Sequence, residues 1–158
     1  AKSRLVNQGS HYPALADDTG LEVDALKGAP GVHSFRYAKM PYANVSREEQ
    51  DRANRELLLS ELSKLPKGTA RTARFVTVAT LVVEGILIHA RGELEGTIAE
   101  APRGNDGFGY DSIFIPAGSS KTLAEMSATE KNQISHRAKA IHALFEEVRR
   151  LGMQLAKP

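Results

Sequence analysis

The residues with the most chemical potential begin at Asp17 and Asp18, which close the apolar start of "PALADDTGLEV" and abut Thr19-Gly20. Neighbouring carboxylates repel, so their adjacency requires a cation, a shared proton or a solvated turn. Hard oxygen ligands side by side suit Mg²⁺, which would keep both acids ionised at neutral pH, and one of them could take a proton from an attacking water. Asp-Thr-Gly is also the signature of aspartic proteases, in which two such segments share one proton. A single copy would need a symmetric dimer. All of these readings stay open at this point.

A second cluster is "GNDGFGYD", Gly104 to Asp111. Its glycines let backbone N–H groups approach a ligand, and Phe108 and Tyr110 offer faces to a flat ring; a β-turn with two core aromatics is the plainer reading. The third is "EKNQISHRAKA", where Lys131, His136 and Arg137 gather donors around Ser135, a candidate helix N-cap. Cations are disfavoured where the helix dipole is already positive, so this grouping points to an anion or a carbonyl-rich ligand, with a solvated basic face as the alternative. Together, an acidic pair for metal, donors for an anion and an aromatic loop for a ring describe a nucleotide phosphate site with Mg²⁺.

The elements that must position these groups follow from periodicity. Ala14–Ala16 reads as a short strand stopping at the acids, and Leu21–Leu26 as a half-buried strand by alternation. A helix starts at the capping box Ser46–Glu49, carries Ala53, Leu57, Leu58, Leu62 and Leu65 as its apolar stripe, and ends at Pro66. Thr72–Val83 is dense in β-branched residues and meets "ILIHARGEL" across the turn Glu84-Gly85. "GELEGTIAEAP" reads as a further strand, and an aromatic strand ends at Pro116. "TLAEM" reads as a short turn before a capping box at Ser127–Glu130. A longer helix starts near Ser135, striped by Ala138, Ile141, Leu144, Phe145, Val148 and Leu151. Upstream, "AKSRLVNQGSHYP" reads as the end of a helix entering a turn at Gly9.

The chain has 158 residues, 41% hydrophobic and 25% charged, which suits one α/β domain rather than two. With no cysteine, disulfides, thiolate metal sites and cysteine nucleophiles are excluded. A formal charge of +2 favours anionic partners only weakly, and with no basic stripe carrying spaced aromatics no nucleic-acid partner is expected. No apolar run approaches a membrane span and no secretory signal opens the chain, so a cytoplasmic protein is expected.

Three segments, "ALADDTGLEVDALKGAPGVHSFRYA", "GFGYDSIFIP" and "KTLAEMSATEKNQISHRAKA", closely resemble the inosine triphosphate pyrophosphatase family and occur in its order over nearly the whole chain. The resemblance implies an α/β fold with a central twisted mixed sheet flanked by helices. It also implies a homodimer, with "GAPGVHSFRYA" near the dimer contact, and Mg²⁺ as cofactor. The implied reaction converts a non-standard purine nucleoside triphosphate (dITP, ITP or XTP) to the monophosphate and pyrophosphate. By similarity Asp18 is the proton acceptor and a metal ligand, Asp17 supports it as a second ligand, and Thr19 touches substrate. Phe108, Gly109, Tyr110 and Asp111 would form the base and sugar wall, with Phe108 stacking, and Lys131, His136 and Arg137 would complete the pocket. Arg137 offers only donors, which suits a 6-keto oxygen and mismatches adenine's amino group.

Two departures stand out. Ser112 occupies a position where the family commonly has Pro. The family also begins with a strand, a Ser/Thr-x-Asn-x-x-Lys loop and a helix bearing a metal-binding Glu, whereas Ala1 corresponds to that helix's end. The expectation is therefore an N-terminally short member, with an exposed sheet edge and reduced hydrolysis. A non-catalytic nucleotide-binding or self-associating protein is the alternative from a different class.

Overall fold

A computed structural model describes residues 12–40, 45–83 and 85–152. The turn expected at Gly9 and the Glu84 half of the hairpin turn lie outside the described residues.

The strands are β1 (Ala14–Val23), β2 (Pro30–Gly31), β3 (Thr72–Val83), β4 (Ile86–Ile98) and β5 (Phe114–Pro116). They form one sheet in the order β2-β1-β3-β4-β5. The helices are α1 (Arg47–Ser63), α2 (Ala128–Ile134) and α3 (His136–Arg150). β1 pairs antiparallel with β2, and β4 with β5. Side-chain bonds between Thr19 and Thr77 and between Asp24 and Thr72 show β1 and β3 running antiparallel as well. The α/β class is as the sequence implies; the described pairings are antiparallel rather than mixed.

The chain divides into two compact units. One takes in the described residues up to Thr19, Val76–Glu93 and those from Ser135 onward; the other takes in Gly20–Phe75 and Leu94–Ile134. In the first, Ala79, Leu81, Val83 and Ile88 pack with Ala140, Leu144 and Val148. In the second, Leu21, Val23, Leu58, Leu62, Phe75, Ile113 and Phe114 are among the core residues, and the Phe75 and Phe114 rings lie 4.7 Å apart.

Three expectations change. β1 does not stop at the acidic pair: it runs ten residues through Asp17 and Asp18. Its Leu21–Val23 end alternates as anticipated, but Asp24–Leu26 turns into a 3-10 helix. The turn preference of Asp, Thr and Gly yields to pairing along the strand, since context outweighs β-propensity. The two strands read in "ILIHARGELEGTIAEAP" are one strand of thirteen residues, β4. On α3 the buried stripe is Ala140, Leu144 and Val148, while Ala138, Phe145 and Leu151 are exposed.

That shift on α3 has a local cause. A Cβ built on Gly92 of β4 would lie 2.2 Å from the His136 carbonyl oxygen and 2.3 Å from the Ala140 nitrogen. The first turn of α3 therefore lies directly on the β4 backbone, and Ala140 rather than Ala138 faces the sheet. Ser135 caps the helix by accepting from Ala138 N–H at 3.1 Å, and Lys139 Nζ donates to the Glu93 carbonyl at 2.9 Å. Gly92→Ala should lower unfolding stability by about 1–3 kcal/mol, the usual cost of overpacking, in equilibrium denaturation. An unchanged midpoint would show that α3 is not seated there.

Candidate active site

In the first unit, the acidic pair sits mid-strand, where consecutive side chains project to opposite faces. Asp17 and Asp18 are therefore not a matched pair of ligands turned the same way. Asp17 Oδ2 accepts from Arg137 Nε at 2.7 Å, an ion pair in which both side chains are partly exposed. Asp18 is exposed, and among the described residues its carboxylate makes no hydrogen bond or ion pair. Thr19 Oγ1 lies 2.7 Å from Oγ1 of the fully buried Thr77, which fixes its rotamer against β3. The structure thus brings Asp17 to Arg137 and engages Thr19 with β3.

His136 opens α3 beside Arg137. Burial, reinforced by the positive charges of Arg137 and Lys139 and opposed by Asp17, holds its imidazole down to about 4. It is neutral at pH 7, so it can offer one donor and one acceptor rather than a second positive charge.

In the second unit, the expected aromatic loop is assembled around α1. Ser46 and Glu49 cap that helix as the sequence indicates: Ser46 N–H donates to Glu49 Oε2 at 2.8 Å and Glu49 N–H to Ser46 Oγ at 3.2 Å. The buried stripe begins with polar residues, Asp51 and Asn54, before reaching Leu58 and Leu62. Asp51, 7% exposed, accepts the Gly109 N–H at 2.8 Å. Arg55 donates to the Gly109 carbonyl at 2.7 Å. Asn54, 2% exposed, donates to the carbonyls of Ser34 and Phe35 and accepts from Ala38 N–H and Gln50 Nε2.

The loop residues then divide by role. Phe108 is 59% exposed, and the Arg47 guanidinium lies over its ring at 5.1 Å from the centroid. The same guanidinium is 5.9 Å from the ring centre of Phe35, also exposed, so it makes cation–π contact with both. Tyr110 does not line an open wall: its ring is buried and its hydroxyl donates to the Ser34 carbonyl at 2.8 Å. Asp111 Oδ2 accepts from Lys131 Nζ at 3.3 Å and from Phe108 N–H at 3.4 Å. Burial raises the Asp111 carboxyl above the usual carboxylate range, with Lys131 pulling it back down. Gly107 makes that arrangement possible, because a Cβ there would sit 2.1 Å from Asp111 Oδ2 and 2.7 Å from Lys131 Nζ.

A pocket of about 500 Å³ opens here, lined by Arg47, Asp51, Arg55, the Gly104–Gly109 loop, Asp111 and Ser112. That volume falls within the range of small-molecule sites. Arg47, Asp51, Asn54 and Arg55 escaped the sequence reading, which followed only apolar residues along the helix. The signal was present: polar residues at helical spacing ahead of Leu58 and Leu62 lie on a face that should be buried.

Among the described residues no group of three or more His, Asp or Glu side chains could hold a metal on its own. Mg²⁺ does not require such a cage, since it commonly keeps several waters and takes one or two carboxylates plus substrate phosphates. The exposed, unengaged Asp18 fits that kind of ligand set; Asp17, committed to Arg137, fits it less well.

Comparison with known proteins covers most of the chain. A dITP/XTP pyrophosphatase of Deinococcus deserti is 47% identical over 133 residues, which is 84% of this chain and 59% of the relative. One from Elusimicrobium minutum is 50% identical over 149 residues, 94% of this chain and 72% of the relative. The solved Ham1 protein of Staphylococcus aureus superposes with a TM-score of 0.80 at 39% identity, covering 94% of this chain and 72% of that one. This chain thus spans about three fifths of the length of the Deinococcus relative. Residues 1–147 match the Ham1 family, and with relatives this similar over most of its length, the chain belongs to that family.

Proposed function

We propose that this protein hydrolyses non-standard purine nucleoside triphosphates, such as dITP, ITP and XTP, to the monophosphate and pyrophosphate, with Mg²⁺ as cofactor and as a homodimer. The observation that carries the reading is the exposed Phe108 ring beside a pocket of about 500 Å³, on a loop fastened to α1 by Asp51 and Arg55. The name of the similar enzymes, dITP/XTP pyrophosphatase, supports the substrate class.

The chemistry assigned to the residues is as follows. Phe108 stacks on the purine, and the Asp111–Lys131 pair borders the base with a carboxyl and an ammonium. Arg137, held by Asp17, presents donors without acceptors, so a keto oxygen is accepted and an amino group is left facing another donor. Asp18 accepts the proton of the water whose oxygen bonds to the α-phosphorus. The bond from that phosphorus to the bridging oxygen breaks, and pyrophosphate leaves with the electron pair. Bound through Asp18 and the phosphates, Mg²⁺ would neutralise charge developing on the phosphate oxygens. The exposed Val32 and Phe35 suit the dimer contact that the resemblance places on this segment. A protease reading finds no support, since Asp18-Thr19-Gly20 lies inside a paired strand.

Asp18→Asn should cut Mg²⁺-dependent pyrophosphate release from ITP about 10²–10⁴-fold, the usual contribution of a general base, with a smaller loss for Asp17→Asn. Equal rates in Asp18→Asn and the parent chain would remove Asp18 from the chemistry.

Phe108→Ala should weaken ITP binding by about 1–3 kcal/mol, the usual worth of one base–aromatic stack, and leave inorganic triphosphate binding unchanged. Calorimetry with both ligands checks this.

His136 should titrate near 4 by NMR instead of near its ordinary 6.5. A lowered folded value means the unfolded chain binds the proton more readily. The stability it contributes is therefore full above about pH 6.5 and drains away as pH falls towards 4. His136→Gln should flatten that acid limb of the stability–pH curve, and an unaltered limb would assign it to other groups.

A further inference from the structure

Gly109 carries a feature that base stacking alone does not explain. Among the described residues its peptide groups have no ladder partner; both go to one face of α1. The N–H is accepted by Asp51 Oδ2 at 2.8 Å and the carbonyl takes Arg55 Nη1–H at 2.7 Å. Residues four apart stand one above the other on a helix, so the spacing of Asp51 and Arg55 matches the two ends of one residue. Gly109 sits at φ +59, a left-handed conformation that most residues avoid, and a two-point hold suits it. Asp51 is buried, and a buried carboxylate needs such partners. Directly before this anchored residue comes Phe108, whose ring is exposed and, among the described residues, has the Arg47 guanidinium over its face.

We infer that Asp51 and Arg55 are positioning residues for base recognition: they clamp Gly109 so that the Phe108 ring stands preorganised to stack on the purine. This rests on the nucleotide reading above. An exposed ring on an unanchored Gly-rich loop would lose part of its stacking energy to ordering on each binding event. The clamp removes that cost before the ligand arrives. Neither residue needs to touch the reacting phosphates for the effect, so the effect belongs in base affinity and base selection rather than in the chemical step.

Arg55→Met keeps the length and loses the donor; Asp51→Leu loses the acceptor, while Asp51→Asn keeps one. In the full chain with Mg²⁺, Arg55→Met and Asp51→Leu should raise KM for ITP about fivefold or more, with kcat little changed. Asp51→Asn should recover most of the loss. Binding of inorganic triphosphate, which has no base, should not change in any of them. In a Phe108→Ala background, Arg55→Met should have no further effect, because there is no ring left to position. An equal loss for ITP and inorganic triphosphate, or an additive loss in the Phe108→Ala background, would make the clamp merely structural and overturn the inference. Unaltered ITP affinity in both single variants would also overturn it. A parent chain that binds inorganic triphosphate but not ITP would overturn the base-recognition reading itself.

Discussion

The second unit depends on one constraint: irregular loops carry peptide groups that no strand satisfies, and α1 must supply their partners. A buried N–H or carbonyl left unpaired costs about 1–3 kcal/mol, so a Gly-rich loop beside a core is expensive unless side chains reach it. Asn54 places both its donors and both its acceptor positions, three of the four contacts going to the backbone of the Ser34–Ala38 segment. Asp51 and Arg55 do the same for Gly109. Tyr110 ties the two loops together, since its hydroxyl donates to the same Ser34 carbonyl that Asn54 reaches. One helix face thereby holds the exposed aromatic residues Phe35 and Phe108 on ordered backbone.

The first unit solves a different problem at the start of α3. Positive side chains at a helix N-terminus oppose the macrodipole. Here Arg137 is offset by Asp17, Lys139 reaches back to the Glu93 carbonyl, and His136 sheds its charge by burial. Gly92 is what brings the helix close enough for these contacts, because only a residue without Cβ lets the two backbones meet. A structural glycine on β4 and the charge pattern of α3 are thus parts of one arrangement.

Local signals were the most legible in the sequence. The capping box at Ser46 and the cap at Ser135 stand where hydrogen-bonding logic put them, and the strand Thr72–Val83 where its β-branched residues did. The failures share a cause, which is pairing with distant chain. β1 continues through Asp17–Gly20 because neighbouring strands engage it, and no propensity within the segment announces that. The stripe on α3 is displaced because Gly92 draws Ala140 inward. Asp51 and Arg55 meet a loop more than fifty residues further along, so helical periodicity could mark Asp51 as buried but could not name its partner. Tyr110 and Phe108 look equivalent as letters; packing into the core and a hydrogen bond to the Ser34 carbonyl separate the buried one from the exposed one.

The pleat of β1 turns a question of repulsion into a division of labour. Side chains at successive strand positions diverge, so Asp17 and Asp18 can occupy different electrostatic environments although they are adjacent in sequence. Asp17 spends its charge on Arg137 across a partly exposed ion pair, an interaction worth little to stability but enough to orient a guanidinium. Asp18 lies exposed to solvent, and among the described residues no cation pairs with it. A carboxylate in that state suits a hydrated divalent ion or an attacking water, because both need an acceptor not already satisfied. Exchanging the two roles would require α3 to lie on the other face of β1, which the contact of Gly92 with His136 and Ala140 excludes.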